Sequence, residues 1–198
     1  MSTPGTAVYR ETLDALNALR SGTSGKVAAE DNTPSLSDAD VAAIRKIARR
    51  HRQCTNHLHH IWRGKSKATF EHTRGVYLGA FTTRVCATVR AFAKTRRRGS
   101  LQDIYQFAEK LDVSEPLSEP VRAMLLPKPK GGFRPITMHG PRRMAQQFIV
   151  RDVLTAVGLD NEHDYCRRGA GGEKALIRDA CQRLEEGYWH WQCARKGS

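Results

Sequence analysis

Residues 125–138 read LLPKPKGGFRPITM, with Lys128, Lys130 and Arg134 set around the pair Gly131-Gly132. That is chemistry for an anion. Ammonium and guanidinium groups make charge-assisted hydrogen bonds to phosphate oxygens, and glycines let a ligand approach the backbone. A solvated turn uses the same residue types, so the segment alone leaves both readings open. A second constellation, Cys54, His57, His59 and His60, has the donor types of a zinc site. On a helix Cys54 and His57 fall near one face and His60 lies partly around it. No second half-site accompanies them, so metal binding is not expected. The five cysteines and eight histidines follow no nucleophile–base order, and no catalytic residue is assigned. Trp62, Trp189 and Trp191 read as core residues rather than base-stacking platforms.

The chain has 198 residues, a formal charge of +13 and a pI near 10.0. Such an excess repels itself unless an anion is near, so it predicts nucleic acid or an acidic surface as partner. The excess is local. From Arg45 to Arg98 there are 15 Lys/Arg and one acid, Glu71. A solvated helix face normally mixes signs, and this block hardly does. Arg49, Arg52, Arg96, Arg97 and Arg98 are therefore candidate phosphate contacts. No apolar run approaches the ~20 residues of a membrane span, and the N-terminal MSTPGTAVYRETLDALNALR carries no apolar leader. The odd, widely spaced cysteines predict reduced thiols and a cytoplasmic location without membrane association.

The elements that must position these residues are mostly helical. Val8, Leu13, Leu16 and Leu19 give a short amphipathic helix, and the Ser/Gly/Thr/Pro-rich 21–36 reads as a flexible linker. Ser37 with early acids caps a helix carrying Val41, Ile44, Ile47 and Ala48, which Gly64 closes. A second helical stretch is expected from about 68 to 98, although Gly75 and Gly79 weaken it. Ser100 caps a short third one. After DVSEPLSEP the pattern becomes two strands, 121–127 and 133–138, around the basic turn. Gly140-Pro141 then opens a helix over about 141–157, and a further helix is expected over 173–186 before a strand beginning YWHWQC. The expected fold class is α+β, mostly helical. The expected segments are 1–36 (helix and linker), 37–120 (basic helical extension) and 121–198.

From about Leu125 the order of motifs resembles the N-terminal fingers of reverse transcriptases of the bacterial, group II intron and retron-like kind. LLPKPKGGFRPIT is similar to that family's basic hairpin, GPRRMAQQFIVRDVL to the helix that follows it, and DYCRRGAGGEKALIRDACQRLEEGYWHW to the segment leading into the first catalytic strand. The resemblance covers roughly 70 of the 198 residues. It implies that 121–198 is a partial fingers region with the start of a palm. It implies that Lys128, Lys130 and Arg134 take the phosphates of the incoming dNTP. By the same resemblance Arg167 and Arg168 lie near template and nucleotide, and Arg142, Arg143 and Gln147 either touch the template strand or face solvent. The partner implied is RNA or an RNA/DNA primer-template.

That family polymerises with two metal ions, Mg²⁺ in the complete enzyme, held by carboxylates that align the primer hydroxyl and the transferring phosphates. In this sequence no acid follows Glu186 and no Tyr-x-Asp-Asp occurs. The expectation is a fragment truncated before the catalytic aspartates. It would bind RNA and nucleotide phosphates, hold no metal of its own, and lack polymerase activity alone, with a second chain as one source of the palm. The alternative is a non-enzymatic basic RNA-binding module.

Overall fold

The computed structural model describes residues 3–21, 36–115, 119–129 and 131–157. Most of the expected linker, Lys130, Arg167 and Arg168, and the helix and strand expected after residue 158 lie outside the described residues. The chain divides into two compact units, Met1–Val157 and Gly158–Ser198. The first of these is mostly helical, with one two-stranded antiparallel hairpin.

The helix starts follow from local capping. Helix α1 is Pro4–Ser21 and α2 is Asp38–Gly64. Ser37 caps α2 in a reciprocal box with Asp40, satisfying N–H groups that the first turn leaves unpaired. The stretch expected as one helix over 68–98 is two: α3, Lys67–Gly79, and α4, Phe81–Thr95, with Ala80 extended between them. The break reflects packing. Phe70 and Tyr77 of α3 join Leu58 and Ile61 of α2 and Ala156 and Val157, whereas α4 faces other clusters. Helix α5, Leu101–Glu109, repeats the capping box with Ser100 and Asp103.

Helix α4 is central. Every residue from Val85 to Phe92 is buried, and all but Arg90 are apolar or small, as befits a helix packed on all sides. One side meets Leu16, Val41, Ile44, Ile104 and Ala108, and another meets Ala145, Phe148 and Ile149. It ends where Arg96 takes a left-handed conformation (φ 57°) and the Arg97 N–H donates to the Phe92 carbonyl at 2.9 Å. Helix α1 lies very close to α2: a Cβ on Gly5 would sit 2.4 Å from the Arg52 carbonyl oxygen.

Strands β1, Arg122–Pro127, and β2, Phe133–Met138, pair from Arg122↔Met138 to Pro127↔Phe133. The Gly131 N–H donates to the Lys128 carbonyl at 3.0 Å, and the Lys128 N–H to the Gly132 carbonyl at 2.9 Å. Both glycines have positive φ (86° and 78°), which explains the residue choice. Directly opposed residues share a face. Arg122, Met124, Leu126, Arg134, Ile136 and Met138 thus lie on one side of the ribbon, the side with the partly buried Leu126 and Ile136. Leu125 and Phe133 on the other side are 65% and 63% exposed. Helix α6, Pro141–Ala156, begins directly after β2 with proline in its first turn.

Candidate nucleic-acid interface

Burial along α2 falls on Val41, Ile44, Ala48, His51, Thr55, Leu58 and Ile61, one stripe at helical spacing. The opposite face carries Arg45, Lys46, Arg49, Arg50 and Arg63, with His57 and His60 among them, all exposed. Arg45 to Arg63 spans about 27 Å of helix. Asp38 and Asp40 sit at the helix start, where Asp38 pairs with Arg20 at 2.7 Å and Asp40 closes the cap. From Val41 to Phe70 there is no acid. Among the described residues none of the five α2 cations on that face makes an ion pair. Lys65 and Lys67, both exposed, carry the charge around the turn into α3. Arg52 sits at the edge of this surface, part-buried, its guanidinium 5.3 Å from the Tyr9 ring centroid.

The other predicted residues are distributed as follows. Lys128 is exposed at the hairpin tip, and Arg134 is exposed on β2 opposite Leu126. Arg143 and Gln147 are exposed on α6, while Arg142 is part-buried, 3.4 Å from Glu115. The Arg142 and Arg143 N–H groups both donate to the Glu119 carboxylate, at 3.2 and 3.0 Å. The favourable anion position at the α6 N-terminus is thus filled by the protein's own acid. Arg96 and Arg98 are exposed beyond α4, and Arg97 stacks on Phe92 and Phe107 at 4.8 and 5.4 Å. His59 is tied by Nδ1 to the Ala156 carbonyl at 2.6 Å. Trp62 is 46% exposed, edge-on to Phe70, so it is only partly a core residue.

One member of the basic block is not on the surface. Arg90 is buried in α4 and donates to both oxygens of buried Asp152 of α6, at 2.8 Å from Nη1 to Oδ1 and again from Nη2 to Oδ2. Glu11 of α1 accepts from Arg90 at 3.3 Å and also pairs with Arg151. Beside this pair, His51 Nε2 and the Tyr77 hydroxyl share a hydrogen bond of 2.7 Å, and Thr55 lies 3.2 Å from the same hydroxyl. Burial lowers the His51 pKa to about 4. The Asp152 carboxylate, 3.9 Å away, opposes this in part, and Arg90 adds to it. Burial alone would lower the Arg90 pKa, but the charge and hydrogen bonds of Asp152, with Glu11 beyond, carry the net direction upward. This network joins α1, α2, α3, α4 and α6; Arg90, Asp152 and His51 are closed to solvent, while Glu11 and Arg151 reach the surface.

The carboxylates here suit cations and helix N–H groups rather than a metal pair. Asp152, Glu11, Glu115 and Glu119 are each engaged as described, and among the described residues no three His, Cys, Asp or Glu converge to hold a metal. Among the described residues no carboxylate set fits the Mg²⁺ centre that the resemblance implies for a complete enzyme. Among the described residues no helix is long and apolar enough to cross a membrane. No protein-family model, curated protein or solved structure matches the chain.

Proposed function

We propose that the chain binds RNA along the outer face of α2, and that its hairpin and α6 are the nucleotide-gripping fingers of a reverse-transcriptase-like protein. The observation that carries the nucleic-acid part is the unpaired, acid-free cationic face of α2. Cations fixed on a helix and free of acids bind phosphates whatever the base sequence. Five such contacts give a log–log salt slope of about −3 to −4 on a single strand. The choice of RNA rests on the resemblance of the segment from 125 onward.

The fingers reading is supported by the order of parts: a basic antiparallel hairpin with a double-glycine tip, then at once a helix carrying Arg142, Arg143 and Gln147. In that reading Lys128, Lys130 and Arg134 hold dNTP phosphates, and Arg142, Arg143, Gln147, Arg167 and Arg168 follow the template. Polymerisation belongs to a complete enzyme or to a second chain supplying the palm; binding is the role proposed for this chain.

The non-enzymatic module is the second reading. It is favoured by the position of the α2 face, which lies wholly upstream of the resembling segment. One experiment separates the two. Labelled single-stranded RNA and a dNTP are titrated against wild type, Arg45→Glu/Lys46→Glu/Arg49→Glu and Lys128→Glu/Arg134→Glu. The α2 variant is expected to weaken RNA binding at least about tenfold and to reduce the salt slope by about 2; unchanged RNA binding overturns the interface. The hairpin variant is expected to lose dNTP binding. If it changes neither titration, the module reading replaces the fingers one.

A further inference from the structure

A cavity of about 620 Å³ lies at the base of the hairpin, the end away from Lys128. Three segments supply nitrogen donors to its wall: Lys94 and Arg97 from the end of α4 and just beyond it, Arg122 from β1, and the His139 ring from the link into α6. Among the described residues none of the four makes an ion pair. Arg97 uses its face to stack on Phe92 and Phe107, which leaves its N–H edge available. His139 Nδ1 is buried with no hydrogen-bond partner, an exception that calls for a ligand or ordered water. The one acid among the described lining residues is Glu119, whose carboxylate is already held by the α6 N–H groups. Apart from Thr95 and Thr137, the rest of the wall is apolar, chiefly Ile136, Met138 and Met144. Thioethers and aliphatic groups suit the face of an aromatic ring.

We infer that this cleft binds a nucleotide, its heterocycle against Ile136, Met138 and Met144 and its phosphate on Lys94, Arg97 and Arg122. His139 Nδ1 gains the partner it lacks. The volume falls within the roughly 300–1,000 Å³ of small-ligand pockets. The site differs from the hairpin tip, to which the family resemblance assigns nucleotide phosphates. Arg134 nevertheless shares the ribbon face of Ile136 and Met138, four residues or about 13 Å along β2 from Met138. A strand leaving the cleft on that face would meet Arg134 next. The nucleotide can be free or one unit of a bound strand; only the second case rests on the nucleic-acid reading above.

Two measurements on the full chain distinguish the sources. In the first, AMP, UMP and inorganic phosphate are titrated by calorimetry. In the second, an RNA of about 12 nucleotides carrying 4-thiouridine is photocrosslinked and the attached peptides are mapped. Each is repeated with Lys94→Glu/Arg122→Glu, two exposed positions, with circular dichroism confirming the fold. Mononucleotide affinity that exceeds phosphate and falls about tenfold or more in the variant supports a free ligand. Crosslinks to residues 136–144 that vanish in the variant support a strand-borne one. Phosphate binding as tightly as AMP and UMP, or neither nucleotide binding nor crosslinks in that segment, overturns the inference. RNA that binds nowhere defeats the proposed function, and the mononucleotide titration still decides the cleft.

Discussion

Arg90 holds its charge inside a helix whose neighbours from Val85 to Phe92 are all buried, and Asp152 is the carboxylate that makes this tolerable. Removing one partner strands the other. Asp152→Ala is expected to cost about 3–5 kcal/mol in urea denaturation, while Arg90→Met with Asp152→Leu recovers most of that loss. In the sequence Arg90, within VCATVRAFA, is simply one of the 15 cations of the basic block. Its partner lies 62 positions away, a pairing no local pattern reveals. Nothing in the sequence sets His51 apart from the basic residues around it. It faces Tyr77 of α3, Arg90 of α4 and Asp152 of α6, and Glu11 reaches the group through Arg90. Folded, it takes a proton only near pH 4, against about 6.5 unfolded. Between these values the unfolded state binds more protons, so stability falls as pH drops from about 6.5 to 4. The contribution is fully present above that window, and its loss across it is about 3 kcal/mol. Urea midpoints at about pH 7.5 and 4.5 for wild type and His51→Gln should show a smaller pH dependence in the variant.

At the scale of elements, what is local was legible and what is relational was not. Ser37 with Asp40, Ser100 with Asp103, the glycines of the turn and Gly140-Pro141 each mark a boundary that the fold honours. The break at Ala80 was missed because it depends on which partners α3 and α4 pack against. The cationic face of α2 was half legible: the charge block stood out, but Arg45, Lys46 and Arg63 join Arg49 only when the buried stripe is drawn and the face opposite it read. The grouping of Lys94, Arg122 and His139 in the cleft gave no signal, these residues being 45 positions apart at the extremes. The contact of α1 with α2 is equally relational. Gly5 donates its N–H to Asn56 Oδ1 at 2.9 Å, and an added methyl would collide with the Arg52 carbonyl. Gly5→Ala is expected to lower stability by about 1–3 kcal/mol, read as a lower thermal midpoint.

For the molecule as a whole, composition pointed to an anionic partner and apolar periodicity to a mostly helical class, and neither said how stability is shared out. The three apolar clusters are built from helices and their flanks, while most of the ribbon is exposed. Native-state hydrogen exchange should therefore release β1 and β2 amides well before those of α4; equal protection would contradict this. Uneven support gives the Arg90–Asp152 pair a second consequence. Helix α6 follows the hairpin after only His139 and Gly140. A slip of α6 by one turn, about 5.4 Å, would part Asp152 from Arg90 and leave two bare charges in the core. The buried pair thus acts as a detent. By fixing how far α6 can slide along α4, it sets where the ribbon is rooted, and an exposed hairpin is aimed from an anchor sealed in the core.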